Sequence, residues 1–189
     1  MTTAKDILNK TVITRDARVL GKLGSPLVDL EWKVPRLSIL LSRDVADRLE
    51  IRKPFFGSPR VFVEPSEVSS LTDNLVLTRK LEEMPDHIQK RGPGMEAQAL
   101  LGRHVAGEEE YPFGETEDLA IDKAHWKVSE LLVDVRRKAA DEMGYPMTIF
   151  GSCKAKVPVR VVEEVKDSLQ LSVGPDEFKN YIIKSRSRA

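Results

Sequence analysis

Cysteine occurs once in these 189 residues, as Cys153, and histidine three times, as His87, His104 and His125. A single cysteine excludes an internal disulfide and a multi-cysteine zinc site. The histidines lie far apart, and no two stand at metal-ligand spacing. A phosphate-cradling glycine loop and a nucleophile turn are both missing. No apolar run approaches the roughly 18–20 residues that a membrane helix needs. The opening Met1-Thr2-Thr3-Ala4-Lys5-Asp6 lacks the apolar stretch of a secretory leader, so a cytoplasmic protein is expected. Neither sign of charge is in excess: 30 Lys and Arg face 30 Asp and Glu. Zero net charge argues against a protein held chiefly by nucleic-acid phosphates. At 41% hydrophobic and 32% charged residues, the chain is globular in composition rather than disordered. Glu108-Glu109-Glu110 lacks the spaced oxygens of a calcium loop, and Cys153 reads as a buried thiol rather than a reactive one. The expectation is therefore no catalytic residue, no cofactor and no metal.

What the sequence does contain is itself, twice. An offset of 94 aligns Trp32-Lys33-Val34 with Trp126-Lys127-Val128, Leu37 with Leu131, Arg43 with Arg137, and Ala46-Asp47 with Ala140-Asp141. It continues through Phe56-Gly57-Ser58 and Phe150-Gly151-Ser152, Val63 and Val157, Val68 and Val162, then Asp73, Leu75 and Leu77 with Asp167, Leu169 and Leu171. Upstream the offset is 93, pairing Leu8 with Leu101, Val12 with Val105, Gly21 with Gly114 and Asp29 with Asp122. Composition alone does not produce matches in this order. The chain is a tandem duplication, with one residue gained near His125.

In the first copy, strands are expected at Lys10–Thr14, Arg18–Leu23, Pro26–Leu30, Val34–Leu41, Arg60–Glu64 and Asn74–Thr78, with turn residues between them. Ser42 is placed to cap a short helix through Leu49, and Pro65 leads a turn to Leu71. So many short strands in so few residues point to a small β-barrel, because a sandwich of this length buries too little. The expected fold is mainly β: two tandem small barrels with short helical segments and a short C-terminal helix. The boundaries are a first barrel over 1–82, a linker over 83–96 rich in helix breakers, a second barrel over 97–173, and a helix and basic tail over 174–189. Pro175 followed by Asp176 and Glu177 suits a helix start.

Several stretches together resemble the PRC-barrel, the module named for the H subunit of the photosynthetic reaction centre. They are Leu8-Asn9-Lys10-Thr11-Val12 leading to Val19-Leu20-Gly21-Lys22-Leu23, the strand end Leu27-Val28-Asp29-Leu30, and the exit Val63-Glu64-Pro65-Ser66-Glu67-Val68 to Asp73-Asn74-Leu75-Val76-Leu77. The same barrel forms the C-terminal domain of the bacterial ribosome-maturation factor. Tandem PRC-barrels without another domain are most similar to short archaeal proteins of FtsZ-based cell division. That resemblance implies a non-enzymatic adaptor at the division site. Its implied partners are a SepF-like membrane anchor, a related PRC-barrel protein or a second copy of itself, with the membrane reached only indirectly and no direct nucleic acid. The alternative implied by the other relative is a ribosome-maturation or RNA-associated factor. The turn after Asp29, which favours glycine in this family, holds Trp32 here, and Trp126 follows Asp122. The loop Gly107–Gly114 also departs from the pattern.

The candidate partner-binding residues are Trp32, Trp126, Phe55, Tyr111, Phe113, Phe178, Tyr181 and Ile182. Each tryptophan reads either as an exposed interface anchor or as a plug over the barrel mouth. Phe56 and Phe150 read as barrel packing, with a binding patch around Phe55 as the other reading. Phe178, Tyr181 and Ile182 either dock the tail helix on its barrel or meet a partner. Lys184, Arg186 and Arg188 read as a solubilising tail. Charge is unevenly spread: residues 1–80 hold 14 basic and 10 acidic side chains (+4), and residues 97–173 hold 10 and 14 (−4). Such halves could attract head to tail, or the difference is drift on solvated surfaces.

Overall fold

The computed structural model describes residues 1–145, 147 and 151–183. These residues form two compact units. One comprises Thr2–Gln98 together with Lys123–Lys127, and the other comprises Ala99–Asp122 with the chain from Val128 onward.

In the first unit a two-residue strand, β1 (Thr2–Thr3), leads into α1 (Ala4–Ile7). The helix start is held reciprocally: the Asp6 amide donates to Thr3 Oγ1 at 3.3 Å and the Thr3 amide to Asp6 Oδ2 at 2.9 Å. The strands that follow are β2 (Thr11–Ile13), β3 (Val19–Val28), β4 (Arg36–Leu41), β5 (Arg60–Val63), β6 (Val68–Leu71) and β7 (Asn74–Leu77). Between β4 and β5 lies α2 (Arg43–Arg48), where Ser42 Oγ accepts from the Val45 amide at 3.3 Å. After β7 come α3 (Met84–His87) and β8 (Met95–Glu96). The sheet runs β5-β4-β3-β2-β7-β6, with β8 added on β3. All pairs are antiparallel except β2 with β7. Its inner face buries Val12, Leu20, Leu23, Leu27, Leu37, Ile39, Val63, Leu75 and Leu77.

The second unit repeats this plan with β9 (His104–Ala106), β10 (Pro112–Asp122), β11 (Lys127–Val135), α4 (Arg137–Glu142), β12 (Cys153–Pro158), β13 (Val162–Val165), β14 (Ser168–Leu171) and α5 (Pro175–Phe178). Its strands follow the order β12-β11-β10-β9-β14-β13, again with one parallel pair, β9 with β14.

The residues repeated in the sequence are the ladder itself. Val12 faces Gly21 and Leu75 across the first sheet, as Val105 faces Gly114 and Leu169 across the second. Leu37 opposite Val63 recurs as Leu131 opposite Val157, and Val68 opposite Leu77 as Val162 opposite Leu171. Gly21 and Gly114 are shared because a Cβ at either would meet the carbonyl oxygen of the facing strand, at Leu40 and Asp134. Paired core positions drift least, since a residue there answers to its neighbours on the same face.

Four expectations change. The barrels are not closed in hydrogen bonding: among the described residues neither pairing order joins its first strand to its last, so the fold is two β-sheets with short helices, one sheet of half-barrel, PRC-barrel-like form, rather than two closed barrels. The strands expected at Arg18–Leu23 and Pro26–Leu30 are one strand, β3, whose register shifts between Leu23 and Pro26. A bulge accommodates Pro26, which cannot donate to the ladder. The turn expected from Pro65 to Leu71 is a 3-10 turn, Pro65–Glu67, followed by β6. Residues 83–96, read as a linker, carry α3 and β8; Pro85 sits in the first turn, where its missing N–H removes no helical bond.

The two copies extend further than their sequence matches. After α3 the Gln89 amide donates to the Phe62 carbonyl at 2.7 Å, and after α5 the Ile183 amide donates to the Lys154 carbonyl at 2.8 Å. Each short helix therefore returns the chain onto the end strand of its own sheet, β5 or β12. This occupies part of an edge that would otherwise offer free hydrogen-bonding groups.

Candidate functional site

Trp32 closes the β3–β4 turn in the left-handed region, with φ +63°. The turn is tied by Asp29, whose Oδ1 accepts from the Glu31 amide at 2.9 Å and the Lys33 amide at 2.8 Å. Trp126 has φ +48°. It lies in the segment Lys123–Lys127 that belongs to the first unit, where its carbonyl accepts from the Val34 amide at 2.7 Å and Lys127 bridges Lys33. Both rings are half-buried. That fits neither a fully exposed anchor nor a sealed plug. A side chain at positive φ costs about 1–2 kcal/mol where glycine would cost little.

The aromatics of the second unit form a packed column. Phe113 and Phe178 are both fully buried, and their rings stack at 3.8 Å, 8° from parallel. Tyr111 lies 5.2 Å from Phe113 and Tyr181 lies edge-on to Phe178 at 6.3 Å. Ile182 is buried and bridges Ala155. Phe113, Phe178 and Ile182 are thus corrected from partner-binding candidates to core residues that hold α5 on its sheet. Tyr111 and Tyr181 remain half-exposed. The Tyr111 hydroxyl donates to Glu142 Oε2 at 2.5 Å, and burial first, that carboxylate second, push its phenol up to about 12.

The loop from α2 to β5 is different. Phe55 and Phe56 are 90% and 84% exposed, in contact only edge to face at 4.8 Å and 80°. Phe56 was expected inside the barrel; among the described residues only Phe55 and Leu30 are more exposed large hydrophobics. Its counterpart Phe150 lies outside the described residues, as does the basic tail over 184–189. Around Phe55 lies a recess of about 440 Å³ lined by Arg43, Arg52, Lys53, Pro54, Phe55, Gly57 and Pro59. Three cations line it and no acid does, although Lys53 Nζ reaches Asp47 Oδ1 at 2.5 Å outside the lining. Both ends of the loop are anchored, by the Ile51 amide on the Ala46 carbonyl and the Leu41 amide on the Pro59 carbonyl, each 2.8 Å. Sequence reading chose Phe55 and passed over Arg43, Arg52, Lys53 and Phe56. The usable signal was a difference between copies: at offset 94, Arg52-Lys53 becomes Pro146-Met147.

Reacting groups are few. Glu67 is a well-connected carboxylate: it accepts from Thr78 Oγ1 at 2.6 Å and Arg79 Nε at 2.9 Å, with His87 Nδ1 at 2.9 Å. The Thr78 hydroxyl first, then Arg79, hold its carboxyl below the usual range against the opposing effect of burial. In the second copy these places hold Val161, Ser172, Val173 and Tyr181, so the cluster is not part of the repeat. Cys153 is buried, and burial first, then Asp134, raise its thiol, away from the reactive thiolate. Among the described residues no group of three or more His, Cys, Asp or Glu could hold a metal ion. Among them also, no helix is long and apolar enough to cross a membrane.

No family model and no curated protein matches the sequence. Solved structures do match. One is RimM of Pseudomonas aeruginosa, described as a 16S ribosomal RNA processing protein, 13% identical, covering 82% of this chain and 99% of its own, with a TM-score of 0.31. The expectation of an archaeal cell-division scaffold is corrected here: this neighbour is bacterial and is named for ribosomal RNA processing. A TM-score so low carries none of that protein's activity onto this chain.

Proposed function

We propose that the protein is a non-catalytic, RNA-associated factor of ribosome maturation, and that the first copy makes the RNA contact. One observation carries the reading: the first copy holds Arg43, Arg52 and Lys53 around one recess with no acid in its lining, and the second copy lacks two of the three. Phosphates are drawn to clustered cations rather than to net charge. The expectation of no nucleic-acid contact rested on a zero total, which hides +4 in residues 1–80 and −4 in residues 97–173. The duplicated sheets serve as rigid supports, and the second copy is free to meet a protein component of the same particle.

The test is sedimentation. Protein tagged in its native cell should travel with ribosomal subunits or their precursors through a density gradient. Nuclease treatment should return it to the top, and the double variant Arg52→Glu, Lys53→Glu should lower the co-sedimenting fraction several-fold. Protein that stays at the top in every gradient, with no ribosomal component copurifying, would end this reading.

A further inference from the structure

We propose that the loop over 52–59 is a binding site for unpaired RNA, in which a nucleobase stacks on the exposed Phe55–Phe56 pair while neighbouring phosphates meet Arg43, Arg52 and Lys53. The inference rests on the RNA-associated reading above and adds the form of RNA and the atoms that recognise it.

Two phenylalanines at 90% and 84% exposure are costly to leave in water on a chain that buries its other phenylalanines among the described residues. The fold does not require them there. A Cβ at Gly57 would meet nothing within 4 Å, so the loop tip stands clear of the sheet. The second copy forms the equivalent helix and the same anchoring bond, from the Tyr145 amide to the Ala140 carbonyl at 2.8 Å, and then continues Pro146-Met147-Thr148-Ile149 without a cation. Arg52, Lys53 and Phe55 belong to the first copy alone, whereas Arg43 and Phe56 have Arg137 and Phe150 as counterparts in the sequence.

The geometry selects the ligand. Rings held 80° apart at 4.8 Å block one face of one ring and leave the others open to a planar partner. Such a face takes a base only when that base has left its own stack, so the site suits single strands and not duplexes. The recess of about 440 Å³ falls in the range of ligand-sized sites, about 300–1,000 Å³. Phosphate at Lys53 exchanges with the Asp47 carboxylate, which pairs with the ammonium at 2.5 Å when the site is empty. Three cations fall short of the four to eight that usually mark an anionic lipid surface.

The experiment uses the full chain and three probes: a fluorescent ten-nucleotide single-stranded RNA of mixed sequence, the same strand annealed to its complement, and vesicles containing phosphatidylserine. The single strand should bind at least about tenfold more tightly than the duplex, and the vesicles should not bind. Phe55→Ala with Phe56→Ala should weaken single-strand binding more than about tenfold, since stacking on an aromatic ring is worth that much per base, while the melting temperature stays unchanged. Three phosphates at about 0.7 each give a slope near −2 for log affinity against log salt. A double variant that binds as the parent does, equal affinity for the duplex, or binding to vesicles alone would each overturn the site. Loss of RNA binding in a protein that still sediments with ribosomal particles removes this site and spares the function. Binding of the single strand by a protein that never meets those particles does the reverse.

Discussion

Between helix and strand the first copy reads Arg52-Lys53-Pro54-Phe55-Phe56, and at the same place the second reads Pro146-Met147-Thr148-Ile149-Phe150. Both stretches follow the same helix, and both copies hold the same ladder pairs, Leu37 with Val63 and Leu131 with Val157. The interior shows the converse. Where the second copy stacks Phe113 on Phe178, the first buries Leu20 and Met84 at the matching offsets. One backbone plan therefore tolerates a larger core in one copy and a cationic, aromatic turn in the other. Duplication makes the copies controls for each other: what both pair and bury is needed to fold, and what one holds alone, or leaves in water, is available for binding.

The largest expected effect is in the column of aromatics. Phe178→Ala should destabilise the second unit by about 3–5 kcal/mol, and Met84→Ala the first by about 2–5 kcal/mol, read from hydrogen-exchange protection of β14 and β7. Equal losses would mean that the extra ring volume contributes nothing. Next come the shared glycines. Gly21→Ala and Gly114→Ala each drive a Cβ onto a facing carbonyl oxygen, at Leu40 and Asp134. Each should cost about 2–4 kcal/mol in chemical denaturation, and similar values would support one ladder in both copies.

Acid should separate the copies by a smaller margin. Glu67 has a carboxyl lowered below its reference of 4.5 in the folded state, chiefly by Thr78. A lowered carboxylate contributes stability above the unfolded value and loses it as pH falls through the folded one. Glu67→Gln should therefore cost about 1 kcal/mol at neutral pH, with the gap to the parent closing below pH 4.5. A gap that persisted in acid would assign the cost to packing. Glu67 has Val161 as its counterpart, so Val161→Ala should show no such pH dependence. Smallest of all, Phe55→Ala should change stability by less than about 0.5 kcal/mol, because its side chain is 90% exposed. A larger loss would place that ring in the fold rather than in a binding surface.

Much of the fold was legible because repeated residues are the ones that pair. Val12, Gly21, Leu37, Val63, Leu75 and their partners in the second copy stand out by self-comparison, and they set the register. The single strand β3 was not legible, since Gly24 and Pro26 look like a break until a bulge absorbs them. Nor was α3, because Met84-Pro85 breaks a helix only in its interior. The candidate site was half legible. Phe55 draws notice as an unmatched aromatic, whereas Phe56 is matched by Phe150 and so reads as core. Exposure is a property of where the turn is carried, and no local pattern encodes it.

By itself the sequence determined the duplication, the strand-rich character and the scarcity of reacting groups, since these follow from which residues recur and which never occur. Tertiary structure alone decided that the sheets stay open, that α3 and α5 return the chain to an edge, and that Phe113 and Phe178 turn inward while Phe55 and Phe56 turn out. The physical reason is that periodicity reports which face of its own element a residue takes. Whether that face meets a neighbour or water depends on chain segments far away in sequence, and only packing brings them together.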